Sequence, residues 1–228
     1  MTQSLIMDLT ASFRKNQAVN ALSDLNSNPI SYAELTRRIA RMHIMFKNAG
    51  IKQGDKIAIC AKNSANWAET FIAVLTYGAV SVPILNEFKH DSIHHLVAHS
   101  DARLFFADTT IWKGLDLAKM PEVEGFFEIE SGRLKFSRSE VLQSSFDNLD
   151  TLVADEFPNG IDESNFDRNY YLDTKDDLAV INYTSGSTGF SKGVMLPAKS
   201  MWSNIEFGHE KLGKALKPGD SIVSMLPM

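Results

Sequence analysis

Apolar positions recur with a helical period in the first part of the chain. Leu35 and Phe46 mark the ends of a stripe at that spacing, which predicts a helix with one buried face. Ser31, followed by Glu34 three residues later, is typical of the capping box at which a helix begins. Gly50 is typical of a helix end. The first predicted element is therefore an amphipathic helix between Ser31 and Gly50.

Continuous apolar runs separated by amphipathic stretches come next. Short runs without polar alternation are typical of parallel strands that helices cover on both faces. The predicted strands are 57–61, 79–85 and 103–107, with helices over about 64–78 and 91–100 between them. Strand and helix in alternation, joined by tight loops, predict an α/β fold with a mostly parallel sheet flanked by helices.

The pattern is less regular from 108 to 177. One strand is predicted at 126–129, and ten acidic against two basic residues from 147 to 177 indicate a solvated excursion rather than an acidic binding surface. Residues 108–177 are therefore predicted to be a variable, partly acidic excursion within one domain. After residue 177 the pattern again predicts regular secondary structure: strands at 178–183 and 193–196, a helix over about 199–212 and a strand at 221–226.

Composition and charge narrow the function classes. The 228 residues carry a net charge of -5, which argues against the basic face of a nucleic-acid-binding protein. Cys60 is the single cysteine and lies in an apolar run, so we expect a core residue in a reducing compartment rather than a nucleophile. No basic leader precedes an apolar block, and no run of 18 apolar residues occurs. We expect a cytoplasmic protein with no membrane span and no nucleic-acid partner.

The segment 183–193 carries the clearest chemical signal. Between two apolar strands it places Gly186 and Gly189 among hydroxyl side chains, and Lys192 follows. Glycines let successive backbone N–H groups point at one anion, hydroxyls add donors, and lysine adds a mobile charge suited to phosphate. The spacing is not that of a P-loop, and no G-x-G-x-x-G follows a strand. The pattern indicates a polyphosphate cradle, and a Ser/Gly-rich surface loop is the alternative.

Several blocks of the chain resemble one enzyme family. YTSGSTGFSKGVML, from Tyr183, resembles the signature loop of the adenylate-forming superfamily, which includes acyl-CoA synthetases, luciferases and peptide-synthetase adenylation domains. PISYAEL, GDKIAIC and GDSIVSMLPM resemble blocks before and after that loop. The resemblance covers nearly the whole chain. It implies that residues 1–228 are the incomplete first part of a large N-terminal AMP-binding domain, with the C-terminal domain absent.

The resemblance implies a two-step reaction. A carboxylate attacks the α-phosphate of ATP, giving an acyl-adenylate and pyrophosphate, and coenzyme A then takes the acyl group. The implied cofactors are ATP, Mg2+ and coenzyme A. A fatty acid is the expected substrate, because the loop and its flanks resemble those of fatty-acid–CoA ligases. Activation of an aryl acid or an amino acid is the alternative.

The same resemblance assigns the site residues. Lys192 is the catalytic candidate, and Thr184 matches the position whose hydroxyl approaches the magnesium ion. The phosphate-binding set is Thr184, Ser185, Gly186, Ser187, Thr188, Gly189 and Lys192.

The chain also departs from the family pattern. Ser191 replaces the usual proline, and Leu196-Pro197-Ala198 replaces Leu-Thr-His. The family's adenine and ribose contacts, its magnesium-binding glutamate and its C-terminal catalytic lysine come after the position of Met228. We therefore expect residues 1–228 alone to be inactive. We also expect them to self-associate, for instance as a homodimer, through the edge left by the strand at 221–226.

Two further interpretations stay open. A module that binds a nucleotide without catalysis would carry the same loop. The second is a metal site formed by four histidines whose spacing of four residues places pairs on one face of a helix. Ordinary histidines on the helix surface are the simpler explanation. The four residues are His90, His94, His95 and His99.

Overall fold

The computed structural model describes residues 4–25, 27–184, 191–213, 215–217 and 219–224. Within these ranges the strands are β1 Asn20–Leu22, β2 Ile30–Ser31, β3 Lys56–Cys60, β4 Val80–Pro83, β5 Ala102–Ala107, β6 Gly125–Glu128, β7 Arg133–Ser137, β8 Leu178–Thr184 and β9 Lys192–Pro197. The helices are α1 Leu5–Lys15, α2 Tyr32–Asn48, α3 Ala65–Tyr77, α4 His90–His99, α5 Thr109–Trp112, α6 Glu140–Asp147, α7 Leu149–Glu156 and α8 Ala198–Leu212, with a 3₁₀ turn at Leu117–Lys119.

Seven of these strands form one sheet, in the order β7-β6-β5-β3-β4-β8-β9. The five inner strands are mutually parallel, and β7 and β9 pair antiparallel at the two edges. The strands predicted at 57–61, 79–85 and 103–107 are β3, β4 and β5, and β3 lies between β4 and β5 as a parallel neighbour of both. The predicted α/β fold with a mostly parallel sheet and flanking helices is confirmed.

The middle strand β3 is apolar from Ile57 to Cys60 because both faces of the sheet are covered there. Along β3, Ile57 and Ile59 belong to the core on one face, while Ala58 and Cys60 belong to the core on the other. All four side chains are fully buried. Successive side chains of a strand point to opposite faces, so a strand covered on both sides requires a continuous apolar run.

Local sequence signals set the helix ends as predicted. The Ser31 hydroxyl accepts a hydrogen bond from the Glu34 amide at 3.2 Å, and the Ser64 hydroxyl accepts one from the Trp67 amide at 3.1 Å. Each bond satisfies an amide that the first helical turn leaves unpaired. Helix α3 ends at Gly78, whose φ of 80° is left-handed and costs glycine little.

The segment 108–177 is more ordered and more buried than the sequence predicted. It contains α5, β6, β7, α6 and α7, of which only the strand β6 was expected. Phe157 packs beside Ile44 of α2, and Phe166 packs beside Phe13 of α1 and Ile39 of α2. These two aromatic side chains of the segment are buried because each finds an apolar partner on an N-terminal helix.

Asp173, near the end of that segment, holds the beginning of α1. Its carboxylate accepts hydrogen bonds from the Leu5 and Ile6 amides, both at 3.2 Å, and from the Ser4 hydroxyl. An anion is favourable at a helix N-terminus because the amides there carry partial positive charge. Helix α1 was not predicted from the sequence, although the Ser4 hydroxyl caps it locally by accepting a hydrogen bond from the Met7 amide at 3.1 Å, and Asp173 adds a second capping group 168 positions away.

The strand predicted at 221–226 is not found in the part of it that the structure describes. Residues 221–224 have no regular structure, and Ile222 and Val223 are 70% and 79% exposed. A strand needs a neighbour for its backbone hydrogen bonds. Among the described strands, none pairs with this segment. The edge of the sheet on this side is β9 instead, with Met195 65% exposed.

Candidate functional site

The predicted phosphate-binding loop connects the two strands of a hairpin. Strands β8 and β9 are antiparallel, and Thr184 lies opposite Lys192 as the last pair before the loop. Ser185, Gly186, Ser187, Thr188 and Gly189 lie outside the described residues. The structure therefore brings together the two site residues at the base of the loop.

This hairpin places the loop at the carboxyl edge of the parallel strands. Strand β8 runs parallel to β4, with Ser81 beside Val180, so Thr184 lies at the same edge as the carboxyl ends of β3, β4, β5 and β6. Ligands of open parallel sheets bind outside the carboxyl ends of the strands. The position of the loop is thus the one that the fold favours for binding.

The side chains at the loop base are available to a ligand. Thr184 and Lys192 are both exposed. Within the described ranges Lys192 forms no ion pair, unlike Lys199, whose Nζ lies 2.8 Å from Asp176 Oδ1. An exposed ammonium group without a carboxylate partner can hold a phosphate as a mobile point charge. Together, a hydroxyl and a cation flank the place where the loop leaves the sheet.

Below this pair, Tyr183 and Gly193 lie opposite each other in the hairpin. A Cβ atom on Gly193 would lie 3.2 Å from Tyr183 Cε1 and 3.1 Å from Ile181 Cγ2. Such contacts are tighter than ordinary van der Waals contact. Glycine is therefore favoured here by the aromatic ring and the isoleucine of the neighbouring strand, rather than by its own backbone angles.

The Tyr183 hydroxyl reaches the last residue of α4. His99 Nδ1 lies 2.8 Å from Tyr183 Oη, and the two rings meet nearly edge to face, at 75°. Burial, and secondarily the charge of Asp101, raise the pKa of Tyr183, so the phenol is neutral at ordinary pH. The sequence did not reveal this contact, because the partners are 84 positions apart.

A cavity of about 510 Å³ opens beside this contact. His99, Asp101, Tyr183, Gly193 and Met195 are among the residues that line it. Gly193 and Met195 are exposed there, while the Tyr183 ring is buried. The phosphate loop itself begins one residue further along β8.

The histidine cluster is not a metal site in the part of the chain that the structure describes. No group of three or more histidine, cysteine or acidic side chains there could hold a metal ion. His94 is buried and its Nε2 accepts a hydrogen bond from the Asp116 amide at 2.9 Å, while His99 contacts Tyr183. The interpretation as ordinary surface histidines is thus wrong for His94.

Cys60 is a core residue, as expected. It is fully buried in β3, and burial raises the pKa of its thiol to about 12. A thiol with so high a pKa is not a nucleophile at neutral pH. Across the described helices, none combines the length and the apolar character needed to cross a bilayer.

Comparison with known protein families and sequences identifies the family of this chain. The profile of the family described as AMP-binding enzyme matches residues 9–228. Luciferin 4-monooxygenase of Photuris pensylvanica is 29% identical over 207 residues, which cover 87% of this chain and 35% of that protein.

Solved structures agree on the fold. ATP-bound MatB from Rhodopseudomonas palustris is similar with a TM-score of 0.68 and 22% identity, over 92% of this chain and 38% of that one. A long-chain-fatty-acid-CoA ligase from Archaeoglobus fulgidus is similar with a TM-score of 0.67 and 19% identity, over 100% and 42%. The chain spans about a third of the length of these relatives.

Proposed function

Because the chain belongs to the AMP-binding enzyme family, the adenylate-forming enzymes, we propose that its protein is an AMP-forming acyl-CoA ligase that activates a fatty acid with ATP. A carboxylate oxygen of the acid attacks the α-phosphorus of ATP, and the bond to the bridging oxygen of pyrophosphate breaks. The thiol of coenzyme A then attacks the acyl carbon, and AMP leaves. The buried free Cys60 supports a reducing compartment such as the cytoplasm.

The pairing of Thr184 with Lys192 at the base of the loop carries this proposal. Pyrophosphate leaves with growing negative charge, and a cation at the edge of the sheet would stabilise that charge more in the transition state than in the ground state. The loop residues Ser185 to Gly189 would supply further hydroxyl and amide donors. Lys192 is proposed as the catalytic residue of this half of the site.

Magnesium fits this site as an ion carried by the nucleotide. Mg2+ prefers hard oxygen ligands and is usually bound through one or two protein groups together with substrate phosphates. The exposed Thr184 hydroxyl is one such ligand, and the described residues offer no acidic cluster that would hold the ion by itself. When bound, the ion would neutralise phosphate charge.

A fatty acid is the substrate that we propose, and coenzyme A is the acyl acceptor. The likeness to a long-chain-fatty-acid-CoA ligase supports this choice, while the luciferin 4-monooxygenase shows that the family extends to another substrate. We further propose that residues 1–228 are the first part of a larger N-terminal domain. Pairing into a homodimer stays a prediction.

The test is pyrophosphate exchange by the protein that the complete gene encodes. Wild-type enzyme should exchange labelled pyrophosphate into ATP when fatty acids of several lengths are offered, and aryl and amino acids should be poorer. Lys192→Ala should slow exchange by roughly 100-fold, the scale of losing one preoriented donor to a developing charge.

Lys199→Ala is the matched control. Lys199 is also exposed, but it pairs with Asp176 at the start of α8 instead of standing at the loop base. Exposed ion pairs contribute little to stability, so this variant should keep wild-type exchange. Equal exchange rates in Lys192→Ala and Lys199→Ala would refute the role assigned to Lys192. Exchange that occurs only when amino acids are offered would refute the proposal that the substrate is a fatty acid.

A further inference from the structure

The contact between His99 and Tyr183 ties helix α4 to the base of the phosphate loop. The hydrogen bond of 2.8 Å joins the last residue of α4 to a residue of β8 that is 6% exposed. His99 itself is exposed, so the contact fixes the polar end of a ring whose remainder is buried. The two residues are 84 positions apart in the sequence.

The ring held in this way packs against the opposite strand of the hairpin. Tyr183 and Gly193 are register partners, and the absence of a side chain on Gly193 leaves the space that the ring occupies. A ring anchored at its hydroxyl cannot swing away from Gly193 without breaking the bond to His99. The pair therefore opposes a slip between β8 and β9, which would move side chains to the other face.

The next pair along the hairpin is Thr184 and Lys192. We propose that His99 is a positioning residue for ATP: by holding Tyr183 over Gly193, it fixes the register at which Thr184 faces Lys192. This inference rests on the proposed function, because it assigns a consequence for ATP binding to a contact within the fold.

The expected effect is specific to ATP. Loss of the hydrogen bond loosens the pairing of Thr184 with Lys192 at the base of the predicted phosphate loop, so KM for ATP should rise more than KM for the acid. A merely structural defect would instead lower the fraction of active enzyme. That defect would reduce kcat for both substrates equally without moving either KM.

Four variants of the complete protein test this in pyrophosphate exchange. His99→Ala and Tyr183→Phe should each lower kcat/KM for ATP about 5- to 10-fold, the scale of one net hydrogen bond. The double variant should be no worse than either single variant, because both remove the same bond. His99→Asn should restore most of the loss, since a carboxamide offers the Tyr183 hydroxyl both an acceptor and a donor.

His95→Ala is the matched control. His95 is exposed one turn earlier on α4, and its ring neighbours that of His99 at 5.8 Å without contacting the hairpin through a described hydrogen bond. It should keep the wild-type KM for ATP. Thermal unfolding of every variant identifies those that fold poorly, and Tyr183→Phe, which keeps the ring, provides the milder perturbation.

The outcomes separate the two proposals. A rise in KM for ATP that His99→Asn reverses supports the inference. The inference is overturned if KM for ATP is unchanged in both His99→Ala and Tyr183→Phe while Lys192→Ala still slows exchange. In that case the proposed function stands. Wild-type protein that exchanges no pyrophosphate with any acid overturns the proposed function, and the inference with it.

Discussion

Two glycines with nearly the same backbone angle allow a packing contact to be measured separately from backbone strain. Gly78, after α3, has a φ of 80°, and Gly54, before β3, has a φ of 81°. The Gly54 amide donates a hydrogen bond to the Gly78 carbonyl at 2.9 Å, so the two sites are neighbours. Their surroundings differ: a Cβ on Gly78 would lie 2.7 Å from Tyr171 Cγ, whereas a Cβ on Gly54 would have no atom within 4 Å.

The energy of each substitution follows from these contacts. Alanine at a left-handed position costs about 1 kcal/mol, so Gly54→Ala should destabilise by about that amount. Gly78→Ala has the same strain and also collides with Tyr171. That ring cannot move cheaply, because the Tyr171 amide bonds the Thr76 carbonyl at 2.8 Å and its hydroxyl bonds Asp177 at 3.1 Å. Overpacking adds about 1–3 kcal/mol, which gives a total of roughly 2–4 kcal/mol.

The assay is thermal unfolding of both variants side by side. For a domain of this size 1 kcal/mol corresponds to about 2–4 °C, so Tm of Gly78→Ala should lie roughly 2–12 °C below that of Gly54→Ala. A third variant, Gly78→Ala with Tyr171→Ala, removes the collision and should recover part of the difference. Equal Tm values for the two glycine variants would refute the reasoning, since they would show that Tyr171 does not pack against this helix end.

Three further predictions concern burial and completeness. Burial lowers the pKa of His43 from 6.5 to about 4, so unfolding takes up a proton between these values. Stability should therefore fall as pH drops from about 6.5 toward 4, and the denaturation midpoint of His43→Gln should depend less on pH in that window. The Cys60 thiol, with a pKa of about 12, should resist iodoacetamide at pH 8 in the native protein and react rapidly in urea, and equal rates would contradict its burial. A polypeptide of residues 1–228 alone should release no pyrophosphate above its Lys192→Ala control, because it spans about a third of its relatives.

The elements that could be predicted from the sequence are those whose signals are local. Strands β3 and β5 could be predicted because burial on two faces requires an apolar run. Helices α2 and α3 could be predicted because Ser31 and Ser64, directly before them, each accept a hydrogen bond from the amide three residues later. The glycines, hydroxyls and Lys192 of the predicted phosphate-binding loop are contiguous as well, so that prediction also rests on a local pattern. A local signal needs no knowledge of the fold.

The features that escaped prediction depend on partners far along the chain. Helix α1 has a capping carboxylate in Asp173, and Phe166 is buried because α1 and α2 supply its neighbours. The strand predicted at 221–226 has the residues of a strand but no described neighbour to pair with. The spacing of His99 from the other histidines can be read in the sequence, and it suggested a metal ligand. Its contact with Tyr183 cannot be read there, because the two residues are 84 positions apart.

The capping of α1 by Asp173 also sets an order of events during synthesis. The carboxylate that accepts the Leu5 and Ile6 amides follows them by 168 and 167 positions in the chain. At about 5–20 residues per second, that interval is roughly 8–35 s. An isolated helix of 11 residues is marginal in water, so α1, although Ser4 caps it locally, gains its remaining N-terminal hydrogen bonds only after Asp173 has been synthesised.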